Sequence, residues 1–282
     1  MKYCYILMSF LALGLVCSGP ICAQGSDLIK QSVIPATDEH GAIRFGVMVP
    51  PSYENNSRSY PVIYYMHGMN RYYAGPRAQW IASFFIKQFT DGQLPEFIMV
   101  FIDGGEGFWC DHADGNPMLE TEIVNYLIPE MDKNYRTNPS KRLTMGYSAG
   151  GVGAVSFYTR HPELFAAAIS LDGTLMTWEE FVYFQGKKPE IFGNAEYYYE
   201  YGAPHNWVDR NRESLIEKPD TSIFISAAYL KESNLNFLSI LEAEGIPAKY
   251  IEVGCDHEFG CVFSESQKEL FLFIAKRLNQ AQ

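Results

Sequence analysis

The segment Gly146–Gly150, with the sequence Gly-Tyr-Ser-Ala-Gly, contains the residue whose chemistry is easiest to infer. Glycines two positions on either side of a serine permit a tight turn between a strand and a helix, which lifts the hydroxyl out of a sheet. The run Arg142–Met145 before the turn is typical of a strand, and the small residues 151–155 after it are typical of a closely packed helix. We therefore predict that Ser148 is a nucleophile.

A nucleophilic serine needs a base that accepts its proton. His257 follows the strand-like segment Tyr250–Val253, and a serine followed by a histidine near the C-terminus is the chain order of α/β-hydrolases. We predict His257 as this base. His112 is a second candidate, because its loop follows the strand-like segment Phe97–Ile102 and is expected to border the pocket.

Attack on a carbonyl also needs donors that stabilise the developing oxyanion. The strand-like segment Val62–Met66 is followed by His67, a glycine and Met69, and such a turn places backbone N–H groups beside the serine. We predict that the N–H groups of Met69 and Ala149 form the oxyanion hole. His67 is expected to support this loop and to face the substrate. The reaction requires no cofactor and no metal.

Segments that resemble strands alternate along the chain with longer segments of helical spacing. The strand-like segments are Ile43–Val49, Val62–Met66, Phe97–Ile102, Leu143–Gly146, Ala167–Leu171, Ile223–Ala227 and Tyr250–Val253. The helical ones are Ala78–Thr90, Leu119–Tyr135, Gly151–Arg160, Leu235–Glu244 and Ser264–Leu278. This alternation predicts an α/β fold with a mostly parallel central sheet flanked by helices. The segment 174–218 fits the alternation poorly, and we predict that it forms a cap over the site.

Aromatic residues near this cap are candidates for substrate binding. Trp109, Tyr198 and Tyr199 offer flat faces for a sugar or a phenolic ring. Packing in a hydrophobic core is the alternative role for the same residues.

Composition excludes two classes of protein. Of the 282 residues, 47% are hydrophobic and 20% are charged, so the chain can bury enough apolar surface to fold. This composition excludes a chain that is mainly disordered. The formal net charge of −11 argues against nucleic acid as a partner, because binding to phosphates needs clustered Lys and Arg.

The N-terminal residues have the pattern of an export signal. Lys2 precedes an apolar run from Tyr5 to Val16, and the small residue Ala23 offers a cleavage site. We predict a signal peptide at 1–23, a mature chain from about Gln24 without a membrane span, and a periplasmic or extracellular location. A lipid anchor through an early cysteine and a single membrane span are the alternatives.

Three cysteines remain after that cleavage, namely Cys110, Cys255 and Cys261. An exported chain favours one disulfide and one free thiol. The sequence Cys-Asp-His occurs at both 110–112 and 255–257, so a zinc site is the alternative, although the spacing matches no zinc finger or ribbon.

Several motifs together resemble a known family. The segments Leu127–Thr137, Gly150–Ala154 and Arg160–Phe165 resemble the esterase family that includes esterase D, feruloyl and acetyl-xylan esterases, enterochelin esterases and antigen 85 mycolyltransferases. The resemblance extends from about residue 43 to 278. It implies a single α/β-hydrolase domain over 24–282 and acyl-ester substrates. Ser148 and His257 match the family's nucleophile and base.

The acidic member of the triad departs from the family pattern. The resemblance places an aspartate in a Gly-x-x-Asp turn after the sixth or seventh strand, but no aspartate stands at the expected position after Ile223–Ala227. Glu232 is the nearest carboxylate, and we predict it as the acid. Its alternative role is to stabilise a helix N-terminus.

These features predict a serine carboxylesterase that acts on acyl, feruloyl or acetyl esters linked to carbohydrate. Because the acid is displaced, a weak or inactive hydrolase fold that binds glycans through the cap is the alternative. An acyltransferase would use the same triad with another acceptor in place of water.

Overall fold

The computed structural model describes residues 27–69, 71–218 and 220–279. The predicted signal peptide at 1–23 and its cleavage site lie outside these residues. The described residues contain the following strands: β1 (Lys30–Ile34), β2 (Ile43–Met48), β3 (Tyr60–Met66), β4 (Ile98–Ile102), β5 (Thr137–Tyr147), β6 (Ala167–Leu171), β7 (Ile223–Ala227) and β8 (Ala248–Glu252).

Helices connect most of these strands. They are α1 (Pro76–Thr90), α2 (Leu119–Glu122), α3 (Ile128–Asn134), α4 (Ala149–Arg160), α5 (Trp178–Gln185), α6 (Pro189–Phe192), α7 (Ala195–Tyr197), α8 (His205–Arg210), α9 (Arg212–Ile216), α10 (Lys231–Ala243) and α11 (Phe259–Asn279). A 3₁₀ turn covers Tyr53–Asn55, and π-helical turns cover Ile123–Leu127 and Tyr198–Gly202. None of the helices in the described ranges is long and apolar enough to cross a membrane.

The strands form one sheet in the order β1-β2-β4-β3-β5-β6-β7-β8. The pairs β1–β2 and β2–β4 are antiparallel, and the other neighbours are parallel. The carboxyl ends of parallel strands lie at the same edge of a sheet, which is where open α/β sheets bind their ligands. The residues that follow β3, β5, β6 and β8 therefore converge.

Both faces of the sheet are covered. Along β3, Tyr64 and Met66 belong to the apolar cluster that includes residues of α3, α4 and α10, whereas Ile63 and Tyr65 belong to the cluster that includes residues of α1 and α11. Burial on both faces explains why the central strands are continuously apolar instead of alternating with polar residues.

The sequence predicted this α/β fold class correctly. The bounds of β6 and β7 agree with prediction, and α1 and α4 begin two residues earlier than predicted. The strand β1 was missed, because it lies at the edge of the sheet and its residues are largely exposed, so its sequence lacks the apolar pattern of the central strands.

The segment predicted as a cap forms five short helices, α5 to α9, between β6 and β7. Its helix α5 begins with a capping box between Thr177 and Glu180. An apolar cluster separate from the two faces of the sheet joins this segment to the loop after β4 and includes Phe108, Phe181 and Phe192.

Candidate active site

Ser148 occupies a strained turn between β5 and α4. Its φ of 58° and ψ of −123° lie where residues with a side chain are seldom found. Glycine is required on both sides, because a Cβ at Gly146 would lie 1.9 Å from the carbonyl oxygen of Gly150. A Cβ at Gly150 would in turn lie 2.0 Å from the carbonyl oxygen of Met66. These contacts explain the predicted Gly-x-Ser-x-Gly spacing.

His257 lies between Ser148 and a buried carboxylate. Its Nε2 is 2.8 Å from Oγ of Ser148, and its Nδ1 is 2.6 Å from Oδ2 of Asp172. A carboxylate only accepts hydrogen bonds, so Nδ1–H donates to Asp172 and Nε2 is free to accept the serine proton. The three side chains form a continuous hydrogen-bonded chain from the carboxylate to the hydroxyl.

Asp172 was not predicted, and it replaces Glu232 in this arrangement. It follows β6 directly and its side chain is fully buried. Its other oxygen, Oδ1, accepts the backbone N–H groups of Ala228 at 2.8 Å and Leu230 at 3.1 Å. The segment after β7 thus supplies donors to the carboxylate and not the carboxylate itself.

The prediction of Glu232 as the acid is therefore wrong. Glu232 is exposed in the first turn of α10, where its charge suits the N-terminus of the helix. One sequence signal could have identified Asp172. It follows the strand-like segment Ala167–Leu171, and the end of a neighbouring parallel strand lies at the edge that carries Ser148.

Two features hold the loop of His257. The ring of Tyr147 stacks on the imidazole, with ring centres 4.9 Å apart and an angle of 21° between the planes. A disulfide joins Cys255 to Cys261 across the histidine, and Cys110 is a buried free thiol. The disulfide was one of the pairings that the sequence left open.

The loop after β3 brings backbone donors to the serine. A Cβ at Gly68 would lie 3.4 Å from Cβ of Ser148, so this loop lies directly against the nucleophile. A Cβ at Gly107 would lie 3.3 Å from N of Met69, and glycine there leaves that N–H uncovered. Ala149 is the first residue of α4, where N–H groups have no partner within the helix. The N–H groups of Met69 and Ala149 remain the predicted oxyanion donors.

A small apolar cavity opens beside these donors. It has a volume of about 20 Å³, enough for one water-sized group. Its lining consists of Met69, Phe108, Ala149, Val152, Thr174, Met176, Phe181, Gln185, Phe192, Tyr198 and Gly202. Tyr198 is buried in this wall and donates its hydroxyl proton to the carbonyl of Met176 at 2.9 Å.

Three residues predicted to bind substrate, namely His67, Trp109 and Tyr199, make contacts within the protein instead. The imidazole of His67 is buried, accepts the N–H of Gly104 through Nε2 at 3.0 Å and bonds the carbonyl of Gly68 through Nδ1. Burial lowers the pKa of His67, which keeps the ring neutral. His67 therefore supports the loop, as predicted. The prediction that it also faces the substrate is wrong.

Trp109 is 1% exposed and packs under the loop, where its indole N–H donates to the carbonyl of His67 at 3.0 Å. A Cβ at Gly104 would lie 2.6 Å from the indole, and a Cβ at Gly153 would lie 2.6 Å from Cβ of Trp109, so both glycines make room for this side chain. Tyr199 is half-buried and accepts the N–H of Trp178 at 3.0 Å. For Trp109 and Tyr199, packing was the correct alternative, because residue type does not say on which side of a loop a ring lies.

His112, the second candidate for the base, lies away from the hydroxyl of Ser148, and the alternative of a zinc site has no cluster of ligands in the described ranges. His112 lines a separate groove together with Asp114 and Glu122, and burial lowers its pKa. Within the described ranges, no three His, Cys, Asp or Glu residues are grouped closely enough to hold a metal ion.

Known proteins resemble this chain in sequence and fold. The model of the family described as "Putative esterase" matches residues 39–218. Esterase Rv1288 of Mycobacterium tuberculosis is 31% identical over 136 residues, which are 45% of this chain and 28% of that protein. The chain therefore matches little more than a quarter of that relative's length.

Two solved structures share the fold. A ferulic acid esterase has a TM-score of 0.72 and 19% identity, with 89% of this chain and 98% of that chain covered. The fluorophosphonate-binding serine hydrolase FphF of Staphylococcus aureus has a TM-score of 0.69 and 15% identity, with 91% and 100% covered.

Proposed function

This chain belongs to the family described as "Putative esterase". We propose that it is a serine carboxylesterase with Ser148 as its nucleophile. The observation that carries the proposal is the hydrogen-bonded chain from Asp172 through His257 to Ser148. It contains a nucleophile, a base in contact with it, and a carboxylate that fixes the tautomer of the base.

The steps follow from the positions of these atoms. Nε2 of His257 takes the proton as Oγ of Ser148 attacks the ester carbonyl, and the oxyanion accepts hydrogen bonds from the N–H groups of Met69 and Ala149. The bond to the alcohol then breaks, and the imidazolium protonates the alcohol as it departs. The acyl group remains bonded to Oγ of Ser148. Water repeats these steps through His257 and releases the acid.

The acyl and alcohol portions of the ester would lie on different sides of Ser148. The small cavity lies beside both predicted oxyanion donors, so it suits the acyl group. The alcohol must leave near Nε2 of His257, since that atom supplies its proton. Tyr229 is 64% exposed with its ring centre 6.4 Å from that of His257, and it offers a face to the alcohol.

These features favour a small acyl group on a ring-shaped alcohol such as a sugar. The weak or inactive alternative depended on a missing acid, and Asp172 supports the active enzyme instead. Acyl transfer would use the same residues with another acceptor in place of water.

Export to the periplasm or beyond belongs to the same proposal. The apolar N-terminal run supports it, and the disulfide Cys255–Cys261 is typical of an oxidising compartment.

The test is a panel of acetyl, butyryl and feruloyl esters, both p-nitrophenyl and sugar-linked, with the mature protein and its Ser148→Ala variant. We expect hydrolysis by the former and a loss of up to about 10⁶-fold in kcat for the latter. Equal rates for the two proteins would remove the serine mechanism.

A further inference from the structure

A second groove lies on the other side of the cap turn that closes the acyl cavity. The π-helical turn Tyr198–Gly202 contributes its two end residues to the cavity, and Glu200 and Tyr201 from its middle line the groove. This outer groove has a volume of about 330 Å³. Its lining consists of Asp111, Glu120, Thr121, Val124, Asn125, Arg160, His161, Glu200, Tyr201 and Trp207.

Two aromatic side chains in the outer groove contact neighbouring groups of the protein. Tyr201 is 38% exposed, and its ring centre lies 4.4 Å from that of Tyr197. Trp207 donates its indole N–H to the carbonyl of Glu200 at 2.8 Å, and the guanidinium of Arg210 lies 5.0 Å from its ring centre. A ring that already packs on neighbouring groups loses less entropy when a ligand packs on it.

Three charged residues of the lining, Asp111, Glu120 and Arg160, are buried and make hydrogen bonds or ion pairs. Glu120 accepts Nε of Arg160 at 2.7 Å and lies 2.7 Å from Nε2 of His161. Asp111 accepts the N–H of Thr121 at 3.0 Å and its hydroxyl at 2.6 Å. The side chain of Arg160 is only 4% exposed, and its Nη1 has no acceptor among the described residues.

The charges of the outer groove disfavour anionic ligands. Glu120 is paired with Arg160, and Glu200 is paired with Arg210 at 2.6 Å. An anion would face the carboxylates of Asp111, Glu120 and Glu200, and the guanidinium of Arg160 is already paired with Glu120. The groups that a ligand could contact are carboxylate lone pairs, the amide of Asn125 and the ring of Tyr201. The carboxylates and the amide suit a ligand with many hydroxyls, and the ring suits its apolar C–H face.

We propose that the outer groove binds a neutral glycan, separately from ester hydrolysis at Ser148. The inference rests on the proposed function in one respect, because it names a site for the carbohydrate that carries the ester. A chain held in the groove would raise the local concentration of its ester groups near the active site without contact with the reacting atoms.

The experiment measures binding by calorimetry on the full mature chain carrying Ser148→Ala, so that hydrolysis does not interfere. The probes are xylohexaose and cellohexaose as neutral glycans and hexagalacturonate as an anionic one. Tyr201→Ala and Asn125→Ala remove exposed side chains of the groove. Tyr183→Ala removes an exposed cap tyrosine outside it and is the matched control.

We expect at least one neutral hexasaccharide to bind, with affinity reduced about 2- to 12-fold by Tyr201→Ala, the range for loss of one aromatic contact. A similar loss is expected for Asn125→Ala, and none for Tyr183→Ala. The proposal is overturned if no neutral probe binds, if hexagalacturonate binds better, or if both groove variants bind as the control does.

Hydrolysis of p-nitrophenyl acetate separates this inference from the proposed function. In proteins that retain Ser148, the two groove variants should hydrolyse this small ester at the unchanged rate. If the chain with an unaltered groove binds no neutral glycan while the protein that retains Ser148 hydrolyses the ester, the groove proposal alone is refuted. If the glycan binds but the ester is not hydrolysed, the esterase proposal alone is refuted.

Discussion

Oδ2 of Asp172 lies 2.6 Å from Nδ1 of His257, although the two residues are 85 positions apart in the sequence. The carboxylate is fully buried, and two backbone N–H groups after β7 hold its second oxygen. Three strands thus determine one orientation of the imidazole: β6 carries the acid, β7 fixes it, and β8 leads to the base. The ring cannot turn without breaking this contact.

We expect Asp172→Asn to lower kcat by about 10⁴-fold, because an amide at this position can favour the tautomer that carries its proton on Nε2. The carboxylate at Glu232 is exposed, and Glu232→Gln is the matched control with unchanged kcat. Steady-state kinetics with p-nitrophenyl acetate distinguishes them. A large loss in Glu232→Gln together with an active Asp172→Asn would restore the assignment made from the sequence.

The sequence was sufficient for those parts of the site that depend on local geometry. The turn at Ser148 is encoded in five consecutive residues, and His257 follows the last strand. The acid could not be assigned in the same way, because the identity of the partner depends on which strands are neighbours. The same reason explains Trp109, which lies near the site in the chain but on the buried side of its loop.

The small acyl cavity predicts a preference for short acyl groups. One additional methylene in a tight apolar pocket changes kcat/KM by about 10- to 200-fold, so acetate should exceed butyrate by at least about 10-fold. Phe181→Leu enlarges the cavity and should raise kcat/KM for butyrate relative to acetate. Phe85→Leu, a similar change in the core, should leave the ratio unchanged. A wild-type preference for butyrate would contradict this use of the cavity.

The cysteines should differ in reactivity. Burial raises the pKa of the Cys110 thiol, and Cys255 is bonded to Cys261. We expect no alkylation of the native mature protein, one labelled cysteine after denaturation, and three after denaturation with reductant, as counted by mass spectrometry. Loss of the disulfide in the variant with serine at both positions should cost about 2 kcal/mol of unfolding free energy. Three labelled thiols without reductant would contradict the pairing.

Stability should depend on pH through His205. Burial lowers the pKa of this imidazole to about 4, and its ring packs between those of Tyr199 and Phe237. The unfolded chain takes up the proton first, near pH 6.5, so the unfolding free energy falls as the pH decreases from 6.5 to 4. Between pH 7.5 and 4.5 this group should contribute a loss of about 2.5 kcal/mol.

His205→Phe removes the titration and retains a ring at this position. Urea unfolding at the two pH values should show a smaller loss of stability in the variant than in the wild type, by roughly the 2.5 kcal/mol that His205 contributes. Equal losses in both proteins would mean that His205 is protonated in the folded state.

The central claim is that Ser148 attacks the ester carbonyl with the help of His257 and Asp172. The most direct measurement is peptide mass spectrometry after incubation of the active mature protein with diisopropyl fluorophosphate, which phosphorylates activated serines. We predict one adduct per chain, located on Ser148, that forms in parallel with the loss of esterase activity and forms much more slowly in Asp172→Asn. Complete inactivation with the adduct on another residue, or full activity with Ser148 modified, would contradict the account.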